Sequence, residues 1–216
     1  MTDFLYPFIE GGERDLDGLL TDLAASAEAK REESRTLGVL TLERDDDELD
    51  RAAAAMAARF EAGGRLFTFG NGGSSTDATT MAALFAHPPS GRPLPARCLA
   101  DDTAVLTALA NDVGYELVFS RQLIAHGRAG DMAVGFSTSG GSQNLLAAFG
   151  EARERDILTI GLAGYGGGAM GTAGLDHCLV VESASVHRIQ ETQAVLGYAL
   201  WRAVQTHLGR EAQARG

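Results

Sequence analysis

The sequence predicts an α/β fold, a doubly wound sheet sandwiched by helices, and three observations carry that prediction. Short apolar runs alternate with longer segments of helical periodicity through residues 46–209. One run, Leu66-Phe67-Thr68-Phe69, breaks into Gly70-Asn71-Gly72-Gly73 and then into Ser74-Ser75-Thr76-Asp77, which reads as strand, turn and helix start. A second run, residues 132–136, breaks in the same way through Ser137-Thr138-Ser139-Gly140-Gly141-Ser142 into a helix over 143–153. Repeated strand-turn-helix units imply right-handed crossovers between strands of one sheet.

The elements follow in order. Phe4-Leu5-Tyr6-Pro7-Phe8 is too short and proline-broken for a helix, and suits docking on a neighbour. Over residues 15–31, Leu16, Leu19, Leu20 and Leu23 keep helical spacing, and Ala24, Ala25, Ala27 and Ala29 allow close packing. Residues 38–44 read as a connection. Asp45-Asp46-Asp47-Glu48 then supplies the acidic first turn of a second helix, which ends near Gly63-Gly64. Four prolines make residues 87–95 a loop, placed to border a pocket. The second strand is 96–100, with Asp101 and Asp102 at its carboxyl end. Two helices follow, 103–111 and 115–125, and then strands over 132–136, 158–162 and 177–181. A glycine-rich connection at 164–171 leads into a short helical turn. A long helix over 186–208 carries Trp201 in the core or an interface.

The two Gly-rich turns carry the chemistry. Each aims free N–H groups at one point at the start of a helix, where partial positive charge favours an anion. In the second turn the hydroxyls of Ser137, Thr138, Ser139 and Ser142 add donors, which suits a phosphate monoester on a small molecule; Ser142 also suits the N-cap of the following helix. Neither turn ends in Gly-Lys-Ser/Thr or keeps the Gly-x-Gly-x-x-Gly spacing, which argues against nucleoside triphosphate hydrolysis and dinucleotide binding. A net charge of −11 over 216 residues disfavours direct nucleic-acid or membrane binding through a basic surface. Cys98 and Cys178 lie in strand-like runs without metal-ligand spacing and read as buried thiols. With no signal-like start and no spanning apolar run, the expected location is cytoplasmic.

Four ordered motifs resemble the phosphoheptose isomerase family of sugar isomerase (SIS) domains. They are Gly70-Asn71-Gly72-Gly73-Ser74 with Asp77-Ala78, residues 106–112 with 118–122, Ser137-Thr138-Ser139-Gly140 with Ser142, and Arg188-Ile189-Gln190-Glu191. The similarity spans about residues 46–209. It implies a five-stranded parallel, flavodoxin-like sheet, a homotetramer built with N-terminal helices, and an inter-subunit site for sedoheptulose 7-phosphate. The implied division is an N-terminal segment and oligomerisation helix at 1–45, the SIS domain at 46–209 and a tail at 210–216. Asn71, Gly72, Ser74, Ser137, Thr138, Ser139, Ser142 and Gln190 are the implied ligand-binding residues.

The chain departs from that family where the family holds zinc. Thr80, Leu84 and Tyr198 stand where the resemblance implies His, Glu and His ligands, and only Gln190 is kept. No family-type zinc cofactor is therefore expected, and the family's acid/base pair is lost with the ligands. Substitute bases are sought at Asp112 and Glu191, with Asp77 and His187 as further candidates; ordinary roles for these are a capping acid at Asp77, an ion pair at Glu191 and a surface residue at His187. Two functions follow: a phosphosugar-binding protein with or without isomerase turnover, or a non-catalytic interaction protein of the replication-initiator-associating type with a protein partner.

Overall fold

The computed structural model describes residues 16–214. Its centre is one sheet of five parallel strands in the order β2-β1-β3-β4-β5: β1 (Leu66–Gly70), β2 (Ala96–Cys98), β3 (Met132–Ser137), β4 (Leu158–Gly164) and β5 (His177–Val181). Among the described residues seven α-helices surround it: α1 (Leu16–Arg44), α2 (Asp46–Glu61), α3 (Gly73–Ala86), α4 (Thr103–Asp112), α5 (Val118–His126), α6 (Gln143–Glu154) and α7 (Val186–Ala214). The predicted architecture is the observed one.

Side-chain alternation along the strands sorts the core into two layers. Leu66, Met132, Val134, Phe136, Ile160 and Leu162 face α2, α3 and α7, and Trp201 of α7 joins this layer, as its sequence position suggested. Phe67, Phe69 and Ala133 face α5 and α6, whose Phe119 and Phe149 close on Phe69 with ring centroids 5.4 and 5.2 Å away. Gly135 makes room for them, since a β-carbon there falls 2.6 Å from the Phe149 ring. Such tilted aromatic clusters add to the burial energy of each ring.

This order places the site. The chain leaves β1 toward β2 on one side and returns to β3 on the other, so the connections after β1 and β3 diverge to opposite faces. A crevice opens at the carboxyl ends of such neighbours. Both Gly-rich turns lie there.

Several expected boundaries are corrected. Residues 38–44 are helix, not connection: Thr41 is buried and Leu37 and Leu42 pack on the core, so tertiary contact overrides the glycine at 38. Strand β2 is shorter than predicted, residues 115–117 form a 3-10 turn before α5, and α7 runs on to Ala214. The loop at 87–95 does not border the site; Leu94 is buried in the core, and Arg92 exchanges backbone hydrogen bonds of 2.9 and 2.8 Å with the Gln205 amide. Cys98 and Cys178 are free thiols, both pushed up by burial, though Cys178 is only half-buried. The Phe4–Phe8 docking segment and the end of the predicted tail lie outside the described residues. No helix among the described residues is long and apolar enough to cross a membrane.

Candidate functional site

The first turn is shaped by glycine. Gly72 takes φ +55° as the N-cap of α3, a conformation that favours glycine, and no side chain caps the helix. The cluster Ser74 to Asp77 is thus not a capping cluster: Ser75 donates back to the Gly72 carbonyl at 2.6 Å, and Ser74 is buried. A β-carbon on Gly73 falls 2.2 Å from Gln190 Nε2, so glycine here lets α7 lay that amide against the turn. Asn71 ties the two turns together. Its amide pairs with that of Asn144 in the first turn of α6, both bonds at 2.9 Å, and its Oδ1 also accepts from the Tyr115 hydroxyl at 2.9 Å.

The second turn is held by its own hydroxyls. Ser137 Oγ accepts from Gly140 N at 3.1 Å and Ser139 Oγ from Gly141 N at 3.2 Å. Ser142 occupies the N-cap position but makes no side-chain cap; its hydroxyl meets Ser137 Oγ at 3.2 Å instead, because the tight turn brings the two serines face to face. Gly140, at φ +64°, passes so close to the next loop that a β-carbon would fall 2.0 Å from the Gly167 carbonyl. Thr138 is half-buried and Ser139 exposed.

Beside the turns a cavity of about 200 Å³ opens between α3 and α7, lined by Asp77, Thr80, Met81, Leu84, Phe136, Gln193, Ala194, Gly197 and Tyr198. Thr80, Leu84 and Tyr198, the positions where the family resemblance implies metal ligands, converge on it. They do not fit zinc. Thr80 Oγ1 donates to the Thr76 carbonyl at 2.8 Å, Leu84 is an apolar wall, and the Tyr198 ring packs on Trp201 with centroids 5.3 Å apart. Such a donor set lacks the imidazole, thiolate and carboxylate that bind this ion. Among the described residues no three His, Cys, Asp or Glu side chains gather to hold a metal.

Two residues of this lining each carry a buried polar atom that is left unpaired. Asp77 Oδ2 and Gln193 Oε1 have no hydrogen-bond partner among the described residues. The Gln193 amide is anchored from its other end, Nε2 donating to Leu162 O at 2.9 Å and Ser137 O at 3.4 Å. Asp77 lies in the second turn of α3, too far in to cap it, and burial pushes its carboxyl up to about 6. Gln193 escaped the sequence reading, although its spacing of three from Gln190 puts both on one face of α7.

The other base candidates lie elsewhere. Asp112 is exposed at the end of α4 and accepts from the neighbouring Asn111 amide at 2.8 Å. Glu191 bonds to the Ser34 hydroxyl and to Arg188, which hold its carboxyl below the usual range. His187 is exposed. Asp101 accepts from Thr79 at 2.6 Å, and Asp102 caps α4 through Val105 N. None of these lines the cavity.

The raised carboxyl has a measurable consequence. The folded chain binds the Asp77 proton more tightly than the unfolded chain, whose carboxyl titrates near ~3.9. Below about pH 4 both states are protonated and nothing is lost. As pH rises through about 6 the folded state must ionise a buried oxygen, and stability falls. Asp77→Asn is therefore expected to stabilise the fold at pH 8 by roughly 1–2 kcal/mol, discounted for partial exposure. Urea unfolding at pH 8 and at pH 4 checks it, with no gain expected at the lower pH.

Comparison with known proteins agrees with this fold. The family described as SIS domain matches residues 32–164. The phosphoheptose isomerase of Rhodospirillum rubrum is 42% identical over 159 residues, covering 73% of this chain and 84% of the relative. That of Aneurinibacillus thermoaerophilus is 40% identical over 171 residues, covering 76% and 86%. Among solved structures, phosphoheptose isomerase from Neisseria gonorrhoeae superposes with a TM-score of 0.79 at 36% identity, covering 85% of this chain and 99% of that one. The enzyme from Francisella tularensis gives 0.80 at 29%, covering 85% and 98%.

Proposed function

The chain belongs to the phosphoheptose isomerase family of SIS domains, and from that membership we propose that it is a phosphosugar isomerase that works without the metal. A sugar phosphate of the heptose class sets its phosphate between the turns after β1 and β3. Its carbon chain enters the cavity between α3 and α7. The observation that carries this reading is the convergence of two glycine- and serine-rich helix starts at the switch between β1 and β3, with the cavity beside them. Ser74, Ser137, Thr138, Ser139 and Ser142 surround the phosphate in this reading, and Gln190 bounds it from α7. The protein is a cytoplasmic homotetramer in the same reading. Leu19, Leu20 and Leu23 stand exposed on α1, a helix offered to another subunit.

Binding of this kind is checked by thermal melting with sedoheptulose 7-phosphate. At about 100 times Kd, mass action adds about 2.7 kcal/mol, which for a chain of this size is about 5–10 °C. The unphosphorylated sugar is expected to give no shift, and Ser139→Ala a smaller one. A melt unmoved by millimolar phosphosugar would overturn the reading.

A further inference from the structure

We infer that Asp77 is the catalytic residue that carries the proton between the two carbons of the phosphosugar, in a cavity whose lining does not fit a zinc ion. The inference rests on the phosphosugar reading above and goes beyond it by naming the group that does the chemistry.

The geometry carries it in three steps. Of the residues lining the cavity, Asp77 is the one with a carboxyl group. The Asp77 carboxyl belongs to that wall on α3 and its Oδ2 is buried with no partner, and Gln193 on α7 likewise carries an orphaned Oε1. Asp77 from α3 and Gln193 from α7 set a carboxyl and an amide in a largely apolar lining, which fits a ligand that brings hydroxyl donors on a carbon chain. Both also connect to the turns. Asp77 lies about 6 Å along α3 from Gly73 of the first turn, and Gln193 holds the backbone of Ser137, where the second turn begins. A sugar with its phosphate in the turns therefore lays its carbons along Asp77.

The step balances without an added reagent. From a ketose, the Asp77 carboxylate takes a proton from C1, the C–H electron pair becomes the C1=C2 bond, and the carbonyl pair moves onto O2. The O1 proton passes to the adjacent O2. Electrons then return to form C1=O1 as Asp77 gives its proton to C2, which yields the aldose. A carboxyl pushed up to about 6 is a stronger base than an ordinary aspartate and is still mostly ionised at neutral pH.

The test is proton exchange in heavy water. Wild-type protein is incubated with sedoheptulose 7-phosphate and a chelator, and loss of the C1 proton signal and appearance of the aldose are followed by NMR. The wild type is expected to exchange at a rate the chelator does not change, with kcat/KM rising through about pH 6. Asp77→Asn is expected to keep its ligand-induced melting shift while exchange and turnover fall at least ~100-fold, and Asp77→Glu to restore part of both. Because the Asn variant is also expected to be the more stable at pH 8, lost exchange does not reflect misfolding. Exchange by Asp77→Asn at the wild-type rate, abolition by chelator, or binding without any wild-type exchange would each overturn the inference and leave phosphosugar binding standing. A wild type that binds no phosphosugar overturns both.

Discussion

Asp131→Ala is expected to lower the unfolding free energy by about 3 kcal/mol, a fall in Tm of roughly 6–12 °C, and to leave the ligand-induced melting increment unchanged. Asp131 is fully buried at the amino end of β3. Its Oδ1 accepts from Arg65 N at 2.9 Å and Arg65 Nε at 3.3 Å, and its Oδ2 from Arg65 Nη2 at 2.7 Å and Arg128 N at 3.0 Å. One carboxylate thus fixes the start of β1 against the start of β3. Removing it strands two backbone N–H groups and takes the acceptors from a guanidinium. The Arg65 side chain is partly exposed, donates to His126 O at 2.6 Å and lies over the Phe67 ring, which is why the lower end of the usual range for a broken buried pair applies. The ligand increment should survive because Asp131 is at the opposite end of the strands from both turns. Urea unfolding and paired melts with and without sedoheptulose 7-phosphate measure the two effects; a stability loss under about 1 kcal/mol would mean that solvent replaces these bonds.

The fold was legible because its signals are local. Phe67, Thr68 and Phe69 favour extended backbone, Gly72 needs φ +55°, and short apolar runs spaced by helices determine a doubly wound sheet. What was not legible depends on contacts between distant segments. Residues 38–44 read as a break because Gly38 weakens a helix, yet Leu37, Thr41 and Leu42 are held in helical geometry by burial against the core. Asp77 followed three capping-type residues and passed for a fourth. Its Oδ2 is buried in the folded chain, where α3 packs against α7 and joins residues more than a hundred positions apart. Glu191 shows the converse. Its motif position suggested chemistry, but Arg188 and Ser34 occupy its carboxylate.

Restoring the three replaced ligands together, Thr80→His, Leu84→Glu and Tyr198→His, is expected to raise zinc affinity by on the order of 1,000-fold or more, to one ion per chain. Thr80 and Leu84 are four apart on one face of α3, Tyr198 faces them from α7, and all three already line the same cavity. Gln190 stands against Gly73 nearby as the fourth donor. Without metal the triple variant should be less stable than the parent, by roughly 1–3 kcal/mol, because it sets a second carboxylate in an apolar space that already destabilises the charge of Asp77. Zinc should reverse that loss, so chelator lowers the melt of the variant and leaves the parent unmoved. Binding should weaken below about pH 6, where the two new imidazoles protonate and compete with the ion. Elemental analysis after dialysis and calorimetric titration decide it. One tightly held zinc in the unmodified protein would show that other residues make a metal site, and with it the metal-independent role of Asp77 would fall.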